Sequence, residues 1–429
     1  MRKAEILLHD RPVGLLEELE RGYRFTYSAD YLNDPKAGSA SLTLPLRAES
    51  FEDKRLFPFL TDSFQRDGCW RLPKRHGRST RVTEWGFCWP AAGIASVPLE
   101  WCRSRGRAHM NNLRCKICLG VINGEEMDFH AACCRRLFGS AQPPQLPYSW
   151  AALNSMAEQI VRSHVAVPGV QPKLSLHLES GGARAGGRFT LVGLEGGYIL
   201  KTPVERFPQM PELEHLTMRM AACFGIETAH CGLIAMQDGQ LALVVRRMDR
   251  VGVRKLAMED MCQLTDRMTE EKYRGSLEAV GKKILQHCSH PGLDALRFFE
   301  VNLFSFLTGN SDMHLKNFSL ILSQDGEIRF SPAYDLLPTV LLLPEDTEES
   351  ALTIQGRKKR LTLRDFFALG NALGLTDRQI SNALRRFEKG LSAAIPLISA
   401  GFCSEEMKAR YQELVERRWE RLQDTTASD

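Results

Sequence analysis

Leu307-Thr-Gly-Asn-Ser-Asp-Met-His-Leu-Lys-Asn-Phe-Ser-Leu-Ile-Leu322 is the stretch on which the reading of this 429-residue chain turns. An apolar, helix-like run enters it from Val301, breaks at Gly309 into polar residues, and resumes after Asn317 as a short strand. Asp312 and Asn317 stand five apart on the intervening loop. A carboxylate there can accept a proton, and an amide oxygen nearby can hold a hard cation. An Asx-rich turn whose side chains only satisfy the backbone has the same composition, so this segment alone leaves both readings open.

The flanking segments favour chemistry. Ile328-Arg-Phe-Ser-Pro-Ala-Tyr-Asp-Leu-Leu-Pro338 places a second acid, Asp335, after another strand and eighteen residues past Asn317. A lone acid could cap a turn. A base, an amide and a second acid together match the set that holds magnesium against the phosphates of ATP during phosphoryl transfer. Lys316, beside Asn317, is a candidate for neutralising the transferring phosphate. Upstream, Gly197-Tyr-Ile-Leu-Lys-Thr-Pro203 reads as a strand ending in Lys201, a candidate partner for ATP phosphates, although most single lysines at strand ends are plain surface residues. The helix expected over Met210–Ala222 offers Glu212 and Glu214, one of which could pair with that lysine; first-turn acids are also ordinary dipole partners. Leu241-Ala-Leu-Val-Val-Arg-Arg-Met-Asp-Arg250 turns from apolar to polar where a hinge would offer its backbone to adenine.

Composition sets the frame. With 43% hydrophobic and 25% charged residues the chain has room for more than one core. Its apolar runs fall short of a bilayer span, and its N-terminus lacks a signal-peptide pattern, so a cytoplasmic protein is expected, without membrane attachment. Ala4 to about Asp62 reads as a small β-rich module with strands in AEILLHDRPVGLLEEL, GYRFTYSADYL and SASLTLPL. Residues 63–109 have no strand or helix period, hold four of the six tryptophans, and carry nine Lys or Arg against three acids, while the rest of the chain is slightly acidic. A basic arm for nucleic acid is one reading. A segment translated out of frame, joining two adjacent genes with Met110 the start of the second, is the preferred one; a natural variable linker is the alternative. After Leu361 the pattern is helical to the end, with Thr376 and Ser404 as N-caps.

One cluster stands apart. Cys115-Lys-Ile-Cys118 and His130-Ala-Ala-Cys133 supply two ligand pairs separated by eleven residues, suited to tetrahedral zinc if the thiols are reduced; Cys and His packing a short hairpin is the competing reading.

Taken in order, Gly169-Val-Gln-Pro-Lys-Leu-Ser175, Tyr198–Lys201, Met248-Asp-Arg250, Met258-Glu-Asp-Met-Cys-Gln263, Gly309–Ser319 and Tyr334-Asp335 resemble the HipA-like serine/threonine kinase toxins of bacterial toxin–antitoxin systems. The resemblance covers about Leu113 to Leu422 well and Ala4 to Asp62 moderately. It implies an α+β, two-lobed kinase fold with a small β-rich N-terminal module (1–62), an N-lobe carrying the Cys/His cluster (110–250) and a helical C-lobe (251–429). It implies ATP and Mg2+ as cofactors, Asp312 as catalytic base, and Asn317 and Asp335 on the metal. Gly169, Val170, Gln171, Lys173, Lys201, Arg246, Met248, Asp249, His314 and Lys316 would then line the nucleotide site. It also implies a protein substrate, of which aminoacyl-tRNA synthetases are known examples, and a small DNA-binding HipB-like antitoxin, through which alone DNA is reached. In some operons the N-terminal module is a separate small protein preceding a short kinase, which suits the fused-gene reading. One departure concerns control: the phosphate-binding lid runs Ser163-His-Val-Ala-Val-Pro-Gly169, so Ala166 stands where the family usually has a self-phosphorylated Ser or Thr, and little lid phosphorylation is expected. At the hinge Arg246 and Arg247 replace a more usual acid. A regulatory pseudokinase-like binding protein and a small-molecule kinase are the alternatives.

Overall fold

The computed structural model describes residues 2–8, 11–60, 70–71, 113–122, 128–163, 171, 173–181, 186–192, 196–207, 209–252 and 254–423, with the backbone alone at 70–71 and 157–163. The chain divides into two compact units, Met1–Leu113 and Arg114–Asp429.

The first unit is built on β1 (Lys3–Leu8), β2 (Arg11–Leu19), β3 (Gly22–Tyr27), a helical turn α1 (Ala29–Leu32), β4 (Phe51–Asp53) and β5 (Trp70–Arg71). The strands form one antiparallel sheet in the order β4-β3-β2-β1-β5. Ile6, Val13, Leu16, Phe25, Tyr27 and Phe51 fill its core. Two expectations change here. SASLTLPL is a turn rather than a strand, because the buried Tyr27 hydroxyl does the work of a neighbouring strand: it accepts from the Ala40 N–H (2.7 Å) and donates to the Leu44 carbonyl (2.5 Å). Within the stretch read as unpatterned, Trp70 and Arg71 pair with Ile6 and Glu5 of β1. The remainder of 63–109, the fused-gene reading and the start at Met110 lie outside the described residues.

The second unit opens with α2 (Ala131–Phe138) and α3 (Trp150–Ser163), followed by β6 (Lys173–Glu179), β7 (Arg188–Leu191), β8 (Tyr198–Lys201), α4 (Met210–Ala221), β9 (Cys231–Ala235) and β10 (Leu241–Arg246). These strands make an antiparallel sheet in the order β7-β6-β8-β10-β9. Leu174, Leu176, Leu200 and Val244 share its core with Leu137 and Phe138 of α2 and Leu153 of α3. The register places Lys173 directly opposite Lys201, and directly opposed residues of an antiparallel pair share a face. A ribbon of β11 (Arg250–Val251) and β12 (Arg254–Lys255) leads into a largely helical part. That part contains β13 (Met258–Asp260), α5 (Met261–Leu264), α6 (Leu277–His287), α7 (Pro291–Thr308), β14 (Ser319–Leu322), β15 (Ile328–Phe330), α8 (Thr339–Leu342), α9 (Leu363–Ala372), α10 (Asp377–Ala400) and α11 (Glu405–Gln423). Thr376 and Ser404 cap α10 and α11 as expected, accepting from the Gln379 and Met407 N–H groups.

Helix α7 is the spine of this part. Pro291 sits in its first turn, where the missing N–H costs nothing. Phe298, Phe299, Leu303, Phe304 and Leu307 are completely buried. Asn302, Ser305 and Thr308 are buried too, and each donates to the carbonyl four residues back at 2.8 Å, so none of these three side chains is stranded. Gly309 ends the helix at φ +77°; a Cβ there would lie 2.7 Å from Leu414 of α11. No helix among the described residues is long and apolar enough to cross a membrane.

Candidate active site

The chain leaves α7 directly into the polar loop. The Asn310 N–H donates to the Ser305 carbonyl (2.8 Å), and the Asn310 side chain accepts from the Asp312 N–H (3.1 Å). Asp312 is thereby tied to the helix end through Asn310. Its carboxylate accepts from the Tyr273 hydroxyl at 2.7 Å. Burial pushes the Asp312 carboxyl above the usual carboxylate range, against the Tyr273 hydrogen bond and the charge of Lys272. The Asn317 NH2 donates to the Asp312 carbonyl at 3.0 Å, leaving the amide oxygen as the end free to meet a cation.

Asp335 follows β15 in the left-handed region, φ +54°. Its carboxylate accepts from Lys173 Nζ at 2.6 Å and pairs with Lys201 through the other oxygen. Lys201 also reaches Glu214 on α4 at 2.5 Å. Lys201 and Glu214 are 4% and 2% exposed, so neither charge is hydrated. Burial would neutralise Lys201, but Asp335 and Glu214 outweigh it and hold the ammonium above its ordinary value. Burial likewise raises Glu214 against the pull of Lys201, while in Asp335 the two lysines win and the carboxyl stays well below its usual range.

The other expected residues are distributed around this centre. Gln171 is buried and donates to the Thr202 carbonyl, next to Lys201, at 2.8 Å. His314 is buried and pulled down to about 3, hence neutral, and its Nδ1 has no hydrogen-bond partner among the described residues. Lys316 turns to Asp260 (2.8 Å), the N-cap of α5, rather than toward Asp312. At the hinge Arg246 reaches the Arg136 carbonyl (3.4 Å), Met248 is half-buried, and Asp249 is gripped by Arg247 and Arg250 at 2.8 and 2.7 Å. Gly169, Val170 and the lid with Ala166 lie outside the described residues. Tyr273, Lys272 and Asp260 were not singled out for the site; Tyr273 comes from a turn 39 residues before Asp312, with no local signal to mark it.

The ligand atoms of Cys115, Cys118, His130 and Cys133 all lie within 4.8 Å of one another, a set able to hold a metal ion.

Comparison with known proteins bears on the family and the fold. Residues 165–395 match the HipA-like C-terminal domain, and residues 4–68 match the HipA N-terminal domain. The Sinorhizobium fredii protein Y4mE, provisionally named a kinase, is 33% identical over 203 residues, covering 43% of this chain and 47% of that protein. The Shewanella oneidensis serine/threonine-protein kinase toxin HipA is 24% identical over 260 residues, 54% of this chain and 57% of the toxin. The chain thus spans about half the length of the curated relatives it matches. Among solved structures, the complex of Shewanella oneidensis HipA, HipB and operator DNA aligns with TM-score 0.62 at 18% identity, over 98% of this chain and 97% of that one. The fold is therefore the α+β, two-lobed fold of those kinases. With one HipA model matched over more than half of its length and the other over its β-rich N-terminal module, the chain belongs to the HipA-like family.

Proposed function

We propose that the chain is an ATP-dependent protein serine/threonine kinase acting as the toxin of a type II toxin–antitoxin pair. The observation that carries the reading is the buried Lys201, held between Glu214 of α4 and Asp335 beside the Asp312–Asn317 loop. A strand lysine paired with a helix glutamate and set against a metal-binding acid is the arrangement by which kinases hold ATP phosphates. Asn317 and Asp335 offer hard oxygen donors of the kind magnesium takes, and the pairing of Lys173 and Lys201 with Asp335 supplies cations to phosphate oxygens. ATP and Mg2+ would supply the phosphoryl group and the charge that neutralises it. Asp312, its carboxyl fixed by Tyr273, would accept the proton of the acceptor hydroxyl, and neutral His314 would line the site. Lys316, occupied by Asp260, would brace the loop.

The acceptor is read as a seryl or threonyl hydroxyl of a translation enzyme such as an aminoacyl-tRNA synthetase. The HipB partner in the Shewanella complex supports a small DNA-binding antitoxin here, through which DNA would be engaged. The chain would work in the cytoplasm. The test is phosphate transfer from labelled ATP to proteins of a cytosolic extract. Asp312→Asn should lower it by about 10²–10⁴-fold while the fold stays intact. Well-folded wild-type protein without transfer would refute the kinase and leave a regulatory binding protein.

A further inference from the structure

The Cys/His cluster lies apart from Asp312 and Asp335, and phosphoryl transfer has no use for thiols. Its ligands come from two short elements: a turn closed by the Cys115 N–H on the Gly120 carbonyl (2.9 Å), and the start of α2. Tetrahedral zinc, with bonds of about 2.3 Å to sulfur and about 2.0 Å to nitrogen, sets ligand atoms roughly 3.5–3.8 Å apart. Cys118 Sγ and Cys133 Sγ lie 3.3 and 3.9 Å from His130 Nδ1. The imidazole is oriented for ligation through Nδ1. Its Nε2 is 3.0 Å from the Val121 carbonyl, which can only accept, a contact that favours a proton on Nε2 and leaves Nδ1 as the atom facing the sulfurs. The His130 and Gly120 N–H groups donate to Cys115 Sγ and Cys118 Sγ at 3.4 Å, contacts that favour thiolates. A Cβ at Gly120 would crowd both His130 (3.2 Å) and Cys118 (3.3 Å). Three sulfurs and one imidazole select a soft, tetrahedral ion over magnesium.

We propose that this cluster holds a structural zinc ion whose loop clamps α4 and β9 in position. The two residues enclosed between Cys115 and Cys118 make the clamp. The Lys116 carbonyl accepts from the Leu233 N–H at 2.8 Å, and the Ile117 carbonyl accepts from His215 Nε2 at 3.0 Å. Ile117 also fills the space beside Gly232, where a Cβ would lie 2.7 Å from it. His215 is the immediate neighbour of Glu214, so the metal loop fixes the helix that presents Glu214 to Lys201. Zinc loss would free α4 rather than the catalytic loop.

The test uses the full chain and needs neither ATP nor transfer, so its failure is separate from failure of the kinase reading. Elemental analysis of protein grown with zinc should find about one equivalent, and Cys118→Ser or Cys133→Ser should retain less than a tenth of it. Chelator-treated wild type should show amide exchange over α4 at least tenfold faster, with β14 unchanged, and added zinc should reverse this. Should the serine variants fail to fold, the chelated and reloaded wild type decides. Less than about half an equivalent of zinc in folded protein overturns the site. Unchanged α4 exchange after zinc removal, or unfolding of α4 and β14 together, overturns the clamp.

Discussion

Replacing Lys201 by methionine keeps the length of the side chain and removes its charge. Asp335 keeps Lys173, but Glu214 loses its one ion pair among the described residues while remaining 2% exposed. Breaking a buried pair by deleting one partner costs about 3–5 kcal/mol. The structure says how that cost should vary with pH. Burial raises Glu214 even beside Lys201; without the lysine its folded value rises further. The folded chain then holds one proton that the unfolded chain has released. Stability must therefore be greatest near the unfolded carboxyl value and fall as pH rises toward the folded one. The limiting slope for one proton is about 1.4 kcal/mol per pH unit over the interval between the unfolded and folded values. Urea unfolding followed by far-UV circular dichroism at three pH values measures it directly. The double variant Lys201→Met/Glu214→Gln removes the proton-binding group, so the extra slope should vanish and most of the lost stability should return at pH 7.5. A Lys201→Met protein less than about 1 kcal/mol below wild type, or with the wild-type pH profile, would show that Glu214 is hydrated and would refute the reasoning.

Tyr273→Phe removes the hydrogen bond that lowers the Asp312 carboxyl against its burial. In its proposed role as base Asp312 must be deprotonated to act, so the acid limb of kcat/KM should move to higher pH; an unmoved limb would detach Tyr273 from the site. Gly309→Ala forces φ +77° on a residue with a Cβ, at about 1–2 kcal/mol, and sets that Cβ 2.7 Å from Leu414. The melting temperature should fall, and Leu414→Ala in the same chain should relieve only the contact; a variant within about 0.5 kcal/mol of wild type would dismiss this helix end as a constraint.

What the sequence disclosed follows from range. The end of α7 at Gly309, the strand carrying Lys201 and the helix of Glu214 are written in local periodicity and could be read from neighbouring residues. The choice between Glu212 and Glu214 could not, because helix phase relative to the sheet is a tertiary fact; it turns Glu214 to Lys201. The opposition of Lys173 and Lys201 is likewise a register between strands, invisible until β6 and β8 pair. Tyr273–Asp312 and Lys316–Asp260 join segments tens of residues apart; the motifs around Asp260 and Lys316 mark each segment but not their pairing, and Tyr273 has no motif to mark it. SASLTLPL misled for the opposite reason: its apolar alternation is real, but the Tyr27 hydroxyl takes the bonds a strand partner would have taken.

Every residue from Phe298 to Ser311 is buried, so the root of the Asp312 loop has no solvent-facing side on which to fray. Arg418 of α11 closes the end, donating to the Phe306 carbonyl at 2.6 Å from within the core. A segment anchored this way opens only when the surrounding helices part, and a regulator that binds at the surface has no purchase on it. Whatever restrains this site must take hold elsewhere. The handles are its half-exposed attendants: Lys173, 50% exposed above Asp335, and Tyr273, 45% exposed above Asp312.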